Sequence, residues 1–414
     1  GGSPAAAAAA AGGGNRFFFC DYPCLLSADA KRRLITLEAQ INQRHAGQQA
    51  LAAGLMLGVG ASPYLVLHVD RQHLLQSALT QILAFSDADL RKHLKVVFVG
   101  EEGVDEGGVR KEFFQLLVAE LFRPDYGMFR PCGRGGRALW FNRDCDWADG
   151  EFHLVGVLLG LAIYNGSLLD ARFPRVVYKK LLRADLTLED LGDVDEELQQ
   201  GFEQMLAYSG ADVEDVYCRT WEVTWDGLGA RRRHELVPGG RDLPVTAENK
   251  EAYVAAHVRW LLVGSVAPQF DPFLRGFLRV VRGAALALCA PPELERLVAG
   301  EPHLDFRALE AVAEYEGGYE KDHPAVRRFW EVVHGLPLEE QQRLLMFATG
   351  SPKAPLGGLG RLRFKVQRAG PDGDALPTAH TCFNTLLLPE YATAAKLRER
   401  LLVAVRECEG FGLQ

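Results

Sequence analysis

The spacing of hydrophobic and polar residues switches between a period near 3.6 and a period of two, and so marks where helices and strands should lie. Residues 27–55 read as one helix. Ser27 fits its N-cap, and Leu34, Ile35, Leu37, Ile41, Leu51 and Leu55 recur at roughly helical spacing. Residues 64–69 are β-branched and apolar and predict a strand, as do 95–99 and 139–141. Amphipathic helices are predicted over 72–85 and 109–122. Residues 151–164 are apolar all round after the first turn, which marks a buried helix, and Asn165 punctuates its end.

Further on, the pattern changes. A short helix is predicted over 198–208. Alternation at Tyr217, Arg219, Trp221, Val223 and Trp225 then argues a strand. A turn at 238–240, a short strand near 243–245 and a helix capped by Thr246 complete a small α+β unit inside a helical region. Helices follow at 174–182, 270–281, 291–298, 325–334, 338–347 and 391–407, with strands at 363–367 and 386–388. Residues 299–303 combine Gly300 and Pro302 and form a hinge candidate.

Composition narrows the classes. The chain has 414 residues, 48% hydrophobic and 24% charged, enough for two or three globular domains. The net charge is −8, and the one basic cluster, Arg231 to Arg233, is too short to make nucleic acid the main partner. Residues 1–15 are Gly/Ala-rich and predict a disordered linker. The chain opens on Gly, not Met, which implies a piece of a longer protein. No secretory signal is visible. The longest apolar run, residues 154–163, is too short to cross a bilayer. Eight scattered cysteines favour a reducing compartment, and Cys20 and Cys24 have no second pair at zinc-site spacing. Glycines 107 and 108 precede a helix, but Asp105 and Glu106 would repel phosphate and no Gly-Lys-Ser/Thr follows. Gly357-Gly358-Leu359-Gly360 lacks dinucleotide spacing and reads as a loop.

The richest stretch is Leu376 to Pro389. It reads as a turn, a cysteine with polar neighbours, and an apolar strand ended by proline. A thiol becomes a nucleophile only as thiolate, in an exposed and polar setting. If the segment is extended, His380, Cys382 and Asn384 point to one face. The residues alone leave a second reading, in which Cys382 is a small core side chain.

His380-Thr381-Cys382-Phe383-Asn384 before an apolar strand resembles the catalytic segment of HECT-type ubiquitin ligases. Other blocks share the resemblance in the same order: Gly100 to Phe114, Gly160 to Asn165, Thr349-Gly350 with Pro355 to Leu359, and the tail Gly410-Phe411-Gly412-Leu413. It covers the chain from about Pro63 to Gln414, and the likeness is strongest to the E6-associated-protein subgroup. The resemblance implies an α+β, bilobal fold. Residues 1–15 are then linker and 16–62 an N-terminal extension helix. Residues 63–299 form a mostly helical N-terminal lobe whose inserted subdomain, 186–262, receives the ubiquitin-carrying E2 enzyme. Residues 300–304 are the hinge and 305–414 a smaller α/β C-terminal lobe.

The implied reaction has two steps and needs no cofactor or metal. Cys382 takes ubiquitin from the E2 as a thioester, and a substrate lysine then attacks that thioester to form an isopeptide bond. Partners are therefore a charged E2, ubiquitin and protein substrates, with no nucleic acid and no membrane. The implied location is the cytoplasm, with the nucleus as a second compartment, and the implied outcome is proteasomal degradation. His380 or a carboxylate near the C-terminus (Glu407, Glu409 or that of Gln414) would take the lysine proton. Thr381 and Asn384 would orient the loop or stabilise the oxyanion. Phe411 would support ligation. Leu198, Phe202, Tyr208, Asp215, Tyr217 and Tyr253 match E2-contact positions, though each aromatic also reads as subdomain core. Arg219 and His257 depart from the pattern, with relatives carrying an apolar residue and Tyr there, which bears on E2 choice. Two rival classes remain. A cysteine hydrolase needs Cys and His drawn from distant segments, which this stretch does not show. A catalytically silent scaffold would not need Cys382 and its flanks.

Overall fold

The structure is a computed structural model that describes residues 18–58, 62–101, 108–147, 149–227, 229–381 and 383–407. Its buried apolar side chains fall into two clusters. One runs from Ile35 to Val298 and the other from Leu304 to Val405.

Helix α1 (Ala28–Leu57) opens as predicted, with Ser27 Oγ accepting from the Ala30 amide at 3.2 Å. The face it buries is not the expected one. Leu37, Ile41, Leu51 and Leu55 are exposed. Ile35 and Ala39 enter the core, flanked by polar contacts. Lys31 pairs with Glu293 at 2.8 Å, Glu38 accepts from the Ala285 amide at 2.9 Å, and Gln43 donates to the Tyr164 carbonyl at 3.1 Å. The helix lies on loop and helix-end backbone, whose free polar groups call for polar partners.

Strand β1 (Tyr64–Val69) pairs in parallel with β2 (His93–Phe98), joined through α2 (Leu74–Ala84). Helix α3 (Gly108–Leu121) packs on them by Phe113, Phe114, Leu117, Val118 and Leu121. β3 (Phe129–Cys132), which carried no strand signal, is antiparallel to β4 (Ala138–Phe141). The all-apolar stretch is α4 (Asp149–Asn165), buried continuously from Leu154 to Tyr164. Asn165 Nδ2 donates to the Leu161 carbonyl at 2.8 Å. α5 (Arg175–Leu181) completes this part of the core.

The small unit holds α6 (Glu196–Ala207), α7 (Val213–Tyr217), the antiparallel pair β5 (Glu222–Gly227) and β6 (Ala230–Glu235), and α8 (Lys250–Leu262). Two expectations change here. Tyr217 ends a short helix, not a strand; Cys218 follows at a left-handed φ of 46°, and the alternation holds only from Trp221 onward. Thr246 does not cap a helix directly. Its amide donates to Asn249 Oδ1 at 2.9 Å across a turn, and α8 starts at Lys250. The basic run Arg231–Arg233 lies on β6, exposed throughout.

α9 (Ala267–Val280) lies along α4, with Gly156, Gly160 and Gly276 at the contact. α10 (Pro291–Ala299) leads to Gly300, whose φ of 80° only glycine adopts at low cost. The Glu301 amide donates to the Ala354 carbonyl at 2.7 Å. The second cluster is built from α11 (Phe306–Val312), β7 (Glu314–Glu316), α12 (Pro324–His334), α13 (Leu338–Thr349), β8 (Lys365–Arg368), β9 (Thr378–His380), β10 (Thr385–Leu388) and α14 (Ala394–Glu407). Its sheet runs β7-β8-β10-β9. All neighbours are parallel except β10 and β9, which form an antiparallel hairpin.

Candidate functional site

The hairpin β9–β10 carries the reactive stretch at its turn. His380 pairs with Thr385 across the hairpin, and the turn closes with the Phe383 amide donating to the His380 carbonyl at 3.1 Å. The stretch is therefore not extended throughout. His380 is the last residue of β9 and is exposed, whereas Asn384 has a left-handed φ of 51° inside the turn. The same-face argument for His380 and Asn384 fails for that reason. Thr381 is half-buried, and Phe383 is 53% exposed. Cys382 and Phe411 lie outside the described residues, as do Glu409 and Gln414. Glu407 ends α14.

The side chain of Asn384 is engaged at both ends. Its Nδ2 donates to the Arg363 carbonyl at 3.1 Å, and its Oδ1 accepts from Lys111 Nζ at 2.9 Å. That lysine comes from α3, in the other buried cluster. Sequence patterning offered no signal for it, since the two residues are 273 positions apart.

The remaining described cysteines sort by environment. Burial pushes the Cys132 thiol up to about 12 and the Cys289 thiol up to about 11, and it also raises Cys145. These three stay protonated at neutral pH and make poor nucleophiles. Cys20, Cys24 and Cys218 are exposed. Cys218 lies with its Sγ 3.1 Å from the Asp215 carbonyl. Among the described residues no group of three or more His, Cys, Asp or Glu side chains could hold a metal, and no helix is long and apolar enough to cross a membrane.

In the small unit the six matched positions separate into two depths. Phe202 and Tyr253 are only 4% and 1% exposed; their rings meet edge-on inside the unit, 6.0 Å apart. Above them lie Leu198, Tyr208 and Tyr217, half-buried, and Asp215, exposed. The Tyr208 and Tyr217 rings lie 5.9 Å apart, and Tyr208 Oη donates to Asp212 Oδ1 at 2.7 Å. Sequence reasoning missed Val216, which adds an exposed apolar side chain between Asp215 and Tyr217. A hydrophobic residue left exposed on a five-residue helix was the available signal.

His257 sits beneath this face, against the Phe202, Tyr253 and Trp260 rings. Burial, with Arg219 and Arg143 nearby, pushes it down to about 4. As pH falls through the ordinary histidine range the unfolded chain takes up a proton that the folded chain refuses until about 4. Stability is therefore lost on acidification, by about 2 kcal/mol from this residue between pH 7 and 5. Denaturant midpoints at those two pH values should differ less for His257→Phe than for the parent chain.

A family description, HECT-domain (ubiquitin-transferase), matches residues 115–414. The chain belongs to the HECT-domain family. It is 40% identical over 400 residues to the human Probable E3 ubiquitin-protein ligase HERC4, covering 95% of this chain and 38% of that protein. It is 39% identical over 414 residues to the mouse Probable E3 ubiquitin-protein ligase HECTD2, covering 96% of this chain and 53% of that protein. Probable E3 ubiquitin-protein ligase mug30 of Schizosaccharomyces pombe is 33% identical over 427 residues, covering 96% and 52%. This HECT chain thus spans about half the length, or less, of these curated relatives. The mixture of helices and short strands is that of a HECT domain.

Proposed function

We propose that this chain is the catalytic portion of an E3 ubiquitin-protein ligase, which takes ubiquitin from an E2 enzyme onto Cys382 and passes it to a substrate lysine. The family match across residues 115–414, which includes the whole β9–β10 hairpin, carries this reading. Exchange of one thioester for another is nearly balanced in energy, so loading needs no cofactor. The second step forms an amide from a thioester and runs downhill. The test is a single-turnover chase: E2 pre-charged with labelled ubiquitin is mixed with this chain, and the products are run with and without thiol reagent. A thiol-sensitive ubiquitin adduct on this chain is the expected product. No adduct with any member of a broad E2 panel would return the chain to the scaffold class.

Two buried clusters meeting near Val298 and Leu304 support a bilobal reading, with 63–299 and 305–414 as lobes and 300–304 as the joint. The positive φ of Gly300 supports the joint's position. One cysteine must visit both the E2 and a substrate, and a few residues absorbing a dihedral change would permit that. Residues 1–15 would be linker and 16–62 an extension, of which α1 packs on the first cluster.

Within 186–262, the E2 would dock on Leu198, Tyr208, Asp215, Val216 and Tyr217, with Phe202 and Tyr253 shaping that face from below. Aromatic anchors ringed by polar groups are the usual centres of binding energy. Tyr208→Ala should therefore slow adduct formation at low E2 concentration about tenfold, the loss typical of an interface hot spot. Saturating E2 should restore the rate, which a folding defect would not allow. For the proton of the attacking lysine, the described candidates are His380, on an exposed strand end, and Glu407, at the end of α14. Thr381 and Asn384 would shape the turn, and Phe411 would support ligation. The free thiols among the described residues fit a reducing compartment, the cytoplasm with the nucleus second.

A further inference from the structure

α3 is anchored in the first cluster by Phe113, Phe114, Leu117 and Leu121. Its neighbouring charges are committed elsewhere: Arg110 lies 3.2 Å from His93 Nε2, and Glu112 pairs with Arg71 at 2.7 Å. Lys111 and Gln115, one turn apart, face the second cluster. Lys111 Nζ donates to the Thr349 carbonyl at 3.1 Å, the Thr381 carbonyl at 3.0 Å and Asn384 Oδ1 at 2.9 Å. An ammonium has three protons to donate, and among the described residues these three oxygens accept from it. One is the carbonyl at the C-terminal end of α13, where a cation is favoured. The other two come from residues flanking Cys382 in the chain. Gln115 Nε2 reinforces the contact by donating to the Gly350 carbonyl. Lys111 and Thr381 both border Gly350: a Cβ there would make ordinary contact, 3.8 Å from both Lys111 Cδ and Thr381 Cβ.

We propose that Lys111 is a positioning residue for discharge of the Cys382 thioester. This rests on the function proposed above. In discharge the lysine nitrogen bonds to the thioester carbonyl carbon, the carbon–sulfur bond breaks, sulfur leaves as thiolate, and the amine proton passes to a base. The geometry of the turn decides how that carbonyl is presented. Lys111 fixes the turn through Thr381 and Asn384, and it gives a charged partner to the side chain of Asn384, whose left-handed backbone forms part of the turn. α3 packs with β2, α2 and α4, away from the α6 and α7 that carry the proposed E2 face, and on that ground the contact is assigned to discharge. A turn held on α3 is turned toward substrate transfer; loading takes place with those bonds open.

The test separates the two steps. The full chain is loaded from charged E2, the E2 is then quenched, and discharge to free lysine is followed. Lys111→Met keeps the length but removes the charge and all three donors. Loading should stay within about twofold of the parent, while discharge slows about tenfold, as for loss of charge-assisted hydrogen bonds. Lys111→Arg should recover most of the rate. Gln115→Ala should slow discharge in the same direction, by less. The melting temperature should be unchanged. Wild-type discharge by Lys111→Met overturns the proposal. So does faster loading with unchanged discharge, which would make the contact a brake, and so does a parallel fall in loading, discharge and melting temperature. An adduct that survives Cys382→Ala overturns the parent reading and this one with it. A Cys382-dependent adduct that Lys111→Met discharges normally overturns the role of Lys111 alone.

Discussion

Cys382→Ala should abolish the thiol-sensitive ubiquitin adduct, lowering single-turnover transfer by at least about a thousandfold, the scale for removing a covalent nucleophile. Four of the described cysteines are poorly placed to replace it. Cys132 and Cys289 are held protonated by burial, up to about 12 and about 11, and Cys145 is raised for the same reason. Cys218 is exposed but directly follows α7, beside the proposed E2 face and outside the β9–β10 hairpin. Cys218→Ala and Cys289→Ala should therefore retain the adduct. Cys382→Ser adds a chemical check. A serine oxygen accepting ubiquitin gives an oxyester, which resists thiol reagent but yields to base. An adduct that changes from thiol-labile to thiol-resistant with this one substitution identifies the atom that carries ubiquitin. An adduct unchanged in Cys382→Ala would move the chemistry to another cysteine.

Elements whose identity depends on local pattern were legible in the sequence. α4 is apolar on every side and is buried on every side. β1 and the Ser27 cap also follow from a few adjacent residues. The elements that were missed have little local signal. β7 and β9 are three residues long and exist because the neighbouring strands β8 and β10 give their backbones partners. α1 was read by its leucines, yet it packs by a mixed face because its partners are backbone and charge. The cysteine stretch stood out as chemistry, but its hairpin did not, since a left-handed asparagine inside the turn breaks the alternation on which the extended reading rested. Lys111 is the extreme case. Among the described residues its acceptors are oxygens on Thr349, Thr381 and Asn384, all distant in the chain. Phe202 and Tyr253 show the converse. Sequence places them in the small unit, and only the fold tells that both are buried inside it.

The second large effect concerns the α4–α9 contact, and it tests the fold independently of the chemistry. Gly156 and Gly276 are reciprocal. A Cβ on Gly156 would lie 2.8 Å from both the Phe273 carbonyl carbon and the Phe277 nitrogen, and closer still to the Phe273 oxygen. A Cβ on Gly276 would lie 2.9 Å from the His153 carbonyl carbon and 3.0 Å from the Val157 nitrogen. All of these are backbone atoms of a facing helix, so no rotamer change relieves the overlap. The helices must move apart, and around them Phe273, Phe277, Leu158 and Leu161 fill the first cluster. Gly156→Ala and Gly276→Ala should each cost about 3–5 kcal/mol, at the upper end for a single added methyl in a packed interior. Gly160→Ala, where the nearest atom is the Val280 Cβ at 2.8 Å and the nearest carbonyl oxygen is that of Phe277 at 3.3 Å, should cost less, because the overlap with backbone is smaller. Gly201 sits in α6, where an added Cβ would meet nothing within 4 Å, so Gly201→Ala should stabilise by about 0.4–1 kcal/mol through helix propensity and the unfolded chain. Chemical denaturation of the four variants would give this ranking. Equal losses at all four positions would mean that the helices do not approach as closely as these glycines require.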